Sequence, residues 1–170
     1  MNEAAPLLIV IGGLPGVGKT TLARGASRRL GAVHVRIDTI EQAMRDGVIG
    51  RPIDGVGYYV ARAVAADNLR LGRSVVADCV NPWALTRDAW RETAGLAGAR
   101  CVEVEVICSD EREHRRRVQT RVSDIEGLVL PNWEAVIARD YHAWDRERVV
   151  IDTATSTVAS SIDELLERIR

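Results

Sequence analysis

Short apolar runs recur along the chain at Leu7–Ile11, Val33–Ile37, Ser74–Ala77, Cys101–Ile107 and Arg148–Ile151. Each has the length of a strand, and between them the apolar residues fall at helical spacing. Tyr58–Leu71 shows this well: Val60 and Val64 share one side, Ala61, Ala65 and Leu69 another, and Gly72 supplies the stop. Thr20–Leu30 reads as an earlier helix closed by Gly31. Asn81-Pro82 predicts a helix start, with Asn as N-cap and Pro in the first turn. Asp110–Val122 and Trp133–Tyr141 read as further helices. Ser161-Ile162-Asp163-Glu164 is a capping box that starts the terminal helix or continues one begun earlier. Strands alternating with helices predict an α/β fold with a parallel sheet covered on both faces. A strand buried on both faces should be apolar throughout. Cys101–Ile107 instead alternates Val with Glu103 and Glu105, which predicts one face partly open.

Asp46–Gly57, with four glycines and Pro52, and Ser123–Asn132 read as loops. Neither leaves enough chain beyond it for a second core, so the 170 residues are expected to form one domain. The chain has no Phe, so Val, Ile, Leu and Ala must build the core. A net charge of -1 argues against a large nucleic-acid or membrane surface. The first apolar run is too short to span a bilayer and has no basic leader. Cys79, Cys101 and Cys108 lack metal-ligand spacing and sit in or beside strand-like runs, which predicts buried reduced thiols and a cytoplasmic protein.

Chemistry enters with Gly13-Leu14-Pro15-Gly16-Val17-Gly18-Lys19-Thr20, which fits G-x-x-x-x-G-K-[ST] at every position, after a strand and before a helix. Glycines let such a loop wrap phosphates with its N–H groups pointing inward at the positive end of the helix. The expected nucleotide contacts are Gly13, Leu14, Pro15, Gly16, Val17, Gly18, Lys19, Thr20 and Thr21. Lys19 reaches the terminal phosphates and the Thr20 hydroxyl ligates Mg²⁺. Lys19 is also the only lysine among 23 basic residues. That excludes a GTPase reading guanine through Asn-Lys-x-Asp, which needs a second one.

Two acids follow strands. Asp78 ends Val75-Val76-Ala77-Asp78 and is placed to serve Mg²⁺ or simply to open a loop. Cys79 stands next to it where a hydrolytic ATPase would carry Glu. Asp38, in Arg36-Ile37-Asp38-Thr39, falls at the sheet end that faces the phosphate loop in a doubly wound fold. It can accept the proton of an attacking hydroxyl, and with Glu41 three residues on it also fits an N-cap. The two roles are compatible.

Gly13–Thr20, the Asp38 strand end, "VVADCVNPWALTRDAW" (Val75–Trp90) and "CSDEREHRRRVQTR" (Cys108–Arg121) occur in the order and spacing of small P-loop kinases. The chain resembles the group that holds zeta toxins, the kinase part of polynucleotide kinase and chloramphenicol phosphotransferase. Pro131–Ala154 is similar to the tail of the bacterial predicted-kinase branch of that group. The resemblance implies an adenylate-kinase-like core with parallel strand order 2-3-1-4-5 and Asp38 as catalytic base. It implies an arginine-bearing lid at about 117–132 in which Arg117 and Arg121 hold phosphates. Asn81 and Arg87 then fall near the acceptor, and Thr153–Thr157 near adenine. Polynucleotide kinases carry an arginine three residues after the base. Here Glu41 stands there, so that clamp on an acceptor phosphate is not carried over.

Arg112, Arg115, Arg116, Arg117 and Arg121 crowd one predicted helix, but at 100° per residue Arg117 and Arg121 share one face while Arg112, Arg115 and Arg116 lie roughly opposite. The others read as a solvated side. Trp133, Tyr141 and Trp144 read as packing residues, Tyr58 and Tyr59 as weak acceptor contacts, and no histidine is given a catalytic part. The expected activity is an ATP- and Mg²⁺-dependent kinase acting on a hydroxyl of a small molecule. A nucleotide-dependent switch and a 5′-end polynucleotide kinase are the alternatives. Little aromatic interleaving and no net positive charge speak against nucleic acid.

Overall fold

Leu8, Ile9, Val10 and Ile11 are fully buried in succession, as a strand covered on both faces requires. They belong to β1 (Leu7–Gly12), the central strand of the computed structural model, which describes residues 5–47 and 55–170. The remaining strands are β2 (Val33–Arg36), β3 (Val75–Asp78), β4 (Arg100–Ile107) and β5 (Val149–Asp152). All four pairings are parallel and the order is β2-β3-β1-β4-β5, which is the order 2-3-1-4-5. The helices are α1 (Lys19–Leu30), α2 (Ile37–Gly47), α3 (Val56–Arg70), α4 (Ala84–Leu96), α5 (Glu111–Thr120), α6 (Trp133–Ile137) and α7 (Val158–Arg168).

Alternate side chains of the sheet enter two cores. Ile9, Ile11, Val76, Val104 and Ile151 meet Leu22 and Ala26 of α1 and Leu165 and Leu166 of α7. Leu8, Val10, Val35, Val75 and Ala77 meet Ala61, Ala65 and Leu69 of α3 and Trp90 and Ala94 of α4. Apolar area removed from water at both faces contributes roughly 25 cal/mol per Å². α1 and α7 touch closely at Gly25, where a Cβ would lie 2.1 Å from Ile162 Cδ1.

Several boundaries differ from the sequence reading. α4 starts at Ala84 with Trp83 as its N-cap, not at Asn81-Pro82. Asn81 has φ 52, whereas an N-cap residue needs extended backbone, and its N–H is given to the Tyr58 hydroxyl at 2.9 Å. β2 passes into α2 without a loop, so Asp38 lies in the first helical turn and does not cap it. Of the two readings of Ser161–Glu164, the second holds: it continues a helix begun earlier, capped by Thr157, whose Oγ1 accepts from the Ser160 amide at 3.1 Å. α6 stops at Ile137, short of Tyr141. The face of β4 that carries the glutamates is partly open, as expected: Cys101, Glu105 and Ile107 are half-buried and Glu103 is buried. Both glutamates are also ion-paired, Glu103 with Arg91 of α4 and Glu105 with Arg148, whose Nε donates to it at 2.8 Å. Of the glycine-rich stretch Asp46–Gly57, residues 48–54 lie outside the described residues. The three cysteines are free thiols, with Cys79 and Cys108 buried and Cys101 partly so.

Candidate active site

The loop between β1 and α1 takes backbone conformations that side chains resist. Gly13, Gly16 and Gly18 have φ of 140, 87 and 101. A Cβ on Gly13 would lie 2.3 Å from the Val106 carbonyl oxygen, and one on Gly16 2.5 Å from Val118 Cγ2. Only glycine meets both demands. The loop is tied down from three sides. Gly13 N–H donates to Val80 O at 3.0 Å, His114 Nε2 lies 2.8 Å from Pro15 O, and Thr153 Oγ1 donates to Val17 O at 2.7 Å. Leu14 and Val17 face the core, while Pro15, Gly16, Gly18, Lys19, Thr20 and Thr21 line a crevice of about 1120 Å³.

Lys19 Nζ donates to the Leu14 carbonyl at 2.8 Å, folding the side chain back across the loop. Burial lowers its pKa, and the charges of Asp78 and Asp38 act against that. Burial on its own would raise the Asp78 carboxyl. The nearby His34 and Thr20 side chains and the charge of Lys19 prevail, and it sits below its ordinary value. The neighbours stand off at Oδ2, which is 3.4 Å from His34 Nε2 and 3.9 Å from Arg36 Nε and has no well-formed hydrogen bond among the described residues. A buried carboxylate oxygen with unspent acceptor capacity, next to a threonine hydroxyl, suits a hard cation. Among the described residues no three His, Cys, Asp or Glu side chains gather as a metal cage. Mg²⁺ held by one or two protein oxygens together with substrate phosphates needs none.

Asp38 lies on the other bank, its side chain half exposed and 3.9 Å from Arg36. Its position is set by the direct passage from β2 into α2, which fixes it to the sheet edge. Segment 121–132 crosses above, and Val122, Ser123, Asp124 and Gly127–Pro131 complete the lining with Glu41, Gln42, Arg45 and Arg139.

A sequence profile of the AAA domain family matches residues 8–139, from β1 past α6. The chain belongs to the AAA domain family. Over 69 residues this AAA domain is 41% identical to uncharacterized proteins of Mycobacterium tuberculosis and Mycobacterium bovis. The match takes in 38% of the chain but only 14% of those longer proteins. Among solved structures, a Chloroflexus aurantiacus protein superposes with TM-score 0.75 and 18% identity, covering 97% of this chain and 96% of that one. The Mycobacterium tuberculosis APS kinase CysC, in complex with AMPPNP and APS, gives 0.73 and 15%, covering 97% and 98%. A gluconokinase from Sinorhizobium meliloti gives 0.66 and 20%, covering 96% and 91%. These three share the fold of the AAA domain described here.

Arg117 and Arg121 both reach the crevice, by different means. In this AAA domain Arg117 is fully engaged: Nε donates to Glu113 at 2.7 Å, Nη1 to Thr153 Oγ1 at 2.8 Å and Nη2 to Thr153 O at 2.9 Å. Among the described residues Arg121 donates only to Pro131 O, at 3.3 Å, and its buried Nε has no partner. Burial lowers its pKa and Asp38 acts to raise it.

Arg87 and Asn81 do not line the crevice. Arg87 is fully buried and donates to the carbonyls of Asn81, Pro82, His142 and Ala143, with its guanidinium 4.0 Å from the Trp144 ring. It staples the loop after β3 to the segment before β5. Asn81 is likewise fully buried, its side-chain atoms without partners among the described residues. Trp133 packs edge-on against His114 at 5.1 Å, as a packing residue should. Tyr58 serves the Asn81 backbone and Tyr59 is exposed.

Sequence reasoning passed over Arg24, Arg36 and Asp124. Asp124 binds Arg24 of α1 and accepts from Arg36 Nη1 of β2 at 2.9 Å. It also passed over His114 and His34, which meet the loop and Asp78. Ion pairs between residues 88 and 100 positions apart leave no local signature.

Proposed function

We propose that this chain transfers the γ-phosphoryl group of ATP to a hydroxyl of a small molecule. The observation that carries the reading is one crevice with a phosphate cradle on one bank and a half-exposed carboxylate, Asp38, on the other. Beside Asp78 stands Cys79, whose buried thiol is pushed well up in pKa, so no hydrolytic base adjoins that acid. The likeness to small P-loop kinases of the zeta-toxin group supports the same reading, as do a fold shared with an APS kinase and a gluconokinase.

Lys19 and the loop amides hold the β- and γ-phosphates. The acceptor hydroxyl oxygen bonds to the γ-phosphorus, its proton passes to Asp38, and the bond from that phosphorus to the bridging oxygen breaks to leave ADP. Arg121, with a free Nε, faces the charge that builds on the transferring group, while Arg117 supports the nucleotide side through Thr153. Thr20 and Asp78 are the residues that would hold Mg²⁺, which when bound offsets phosphate charge. Positioning and electrostatic stabilisation supply most of the rate.

The test is acceptor-stimulated ADP release over a panel of hydroxyl compounds, with Asp38→Asn alongside. An acceptor that stimulates the wild type but not Asp38→Asn, at unchanged ATP affinity, is the expected result. Full transfer by Asp38→Asn removes Asp38 as base.

A further inference from the structure

Arg36 stands among carboxylates from three elements. Its Nη1 is 2.9 Å from Asp124 Oδ1 in segment 121–132, its Nη2 3.9 Å from Asp38 Oδ2 in α2, and its Nε 3.9 Å from Asp78 Oδ2 in β3. The parallel register that sets Arg36 beside Asp78 places it there, and the side chain is largely buried. Of the three anions only Asp124 accepts a well-formed hydrogen bond from it. The other two lie just beyond that range, and among the described residues Arg36 Nε has no hydrogen-bond partner. With Nη1 bonded to Asp124, the rigid guanidinium plane holds Nη2 and Nε short of hydrogen bonds to Asp38 and Asp78, so Asp124 competes with those two acids for the close approach of a single cation.

The competition bears on chemistry. A carboxylate that accepts a hydrogen bond from a cation has its charged form stabilised and takes up a substrate proton less readily. We infer that Arg36 is a positioning residue that links the seating of segment 121–132 to the freedom of Asp38. With Asp124 seated, Arg36 is drawn off the base. With Asp124 lifted away, it falls back onto Asp38 and Asp78. Arg24, the second partner of Asp124, helps to seat the segment but contacts neither acid. The role of Asp38 here rests on the proposed kinase activity, whereas the link between segment and Arg36 does not.

Four variants test this: Asp124→Asn, Arg36→Gln, Arg36→Lys and the double variant Asp124→Asn with Arg36→Gln. Two readouts are taken, acceptor-dependent turnover and hydrogen exchange of segment 121–132 with a non-hydrolysable ATP analogue. Asp124→Asn should lower kcat about tenfold with KM for ATP changed less than about twofold. Adding Arg36→Gln should restore most of that loss, because the competing cation is gone. A double variant slower than Asp124→Asn would show Arg36 to be merely structural and would overturn the inference. Exchange in the segment should rise in Asp124→Asn and in Arg36→Gln. Wild-type protection in Arg36→Gln means that Arg24 alone seats the segment, and sinks the idea. If Arg36→Gln does not fold, Arg36→Lys stands in for it: it keeps the charge without the fork and should raise exchange, and unchanged exchange counts against the link. A wild type that uses no acceptor would defeat the proposed function while the exchange data still decide the link.

Discussion

Arg117 grips Thr153 twice, through its hydroxyl and its carbonyl, and Thr153 in turn donates to the Val17 carbonyl of the phosphate loop. An arginine of α5 thus holds the loop after β5 against the phosphate cradle. Its effect belongs to the nucleotide half of the site.

Arg117→Met should therefore raise KM for ATP about tenfold, the equivalent of roughly 1.5 kcal/mol from a charge-assisted hydrogen bond. KM for the acceptor should stay near the wild-type value. Steady-state kinetics with each substrate varied in turn measures the split. An equal rise in both constants would contradict the chain from Arg117 to Val17.

Lys19→Arg keeps the charge but replaces a slim ammonium with a broad fork inside a loop that is already closed around Leu14 O. The fall in kcat/KM should be on the order of 10²-fold, comparable to losing a preorganised charge contact. Calorimetric titration with an ATP analogue should show the loss at the binding stage. Near-normal affinity in the variant would mean that charge alone matters there.

Arg87→Met takes a donor from four carbonyls, of which, among the described residues, Pro82 O alone keeps another, the His142 N–H at 2.8 Å, and removes the cation from the Trp144 ring. The expected cost is about 3 kcal/mol, a fall in Tm of roughly 6–12 °C for a chain of this size. Since Arg87 does not line the crevice, turnover per folded molecule should change little. Thermal melts and active-site titration together make the check. A stable but inactive variant would put Arg87 back at the acceptor.

Glu113 is held at about 2, against an ordinary 4.5, first by the hydrogen bond from Arg116 and then by that from Arg117. Its folded pKa is below its unfolded one, so its contribution to stability is present above 4.5 and is lost as pH falls toward 2. Melts of wild type and Glu113→Gln should differ near neutrality and converge as the pH drops through that window. The difference is small because Arg116 and Glu113 both meet water. A gap that widens on acidification would reverse the assignment.

The phosphate loop was legible because its constraints lie in consecutive residues: three positive φ angles and two close approaches can only be met by glycines at 13, 16 and 18. The strand set was legible from its apolar runs, and Asp38 from where the second run ends. Arg87 was misplaced because nothing local separates an arginine buried against four carbonyls from one reaching a ligand. Glu103 and Glu105 marked the partly open face of β4, but their ion-pair partners, Arg91 and Arg148, are 12 and 43 residues away and left no local sign. Asn81 misled for a different reason. Asn before Pro signals a cap, but the Tyr58 hydroxyl and the left-handed backbone claim it first.

The close fit of Gly25 against Ile162, reinforced by Arg29 and Asp163 at 3.0 Å, joins segments separated by 134 positions in sequence. A growing chain thus exposes its phosphate loop long before the helix that braces α1 has been synthesised. The most local motif of the molecule is completed by one of its most distant contacts, so its maturation is limited by translation and chain closure. Nucleotide capture should therefore await the synthesis of α7, although the loop itself is made well before that helix.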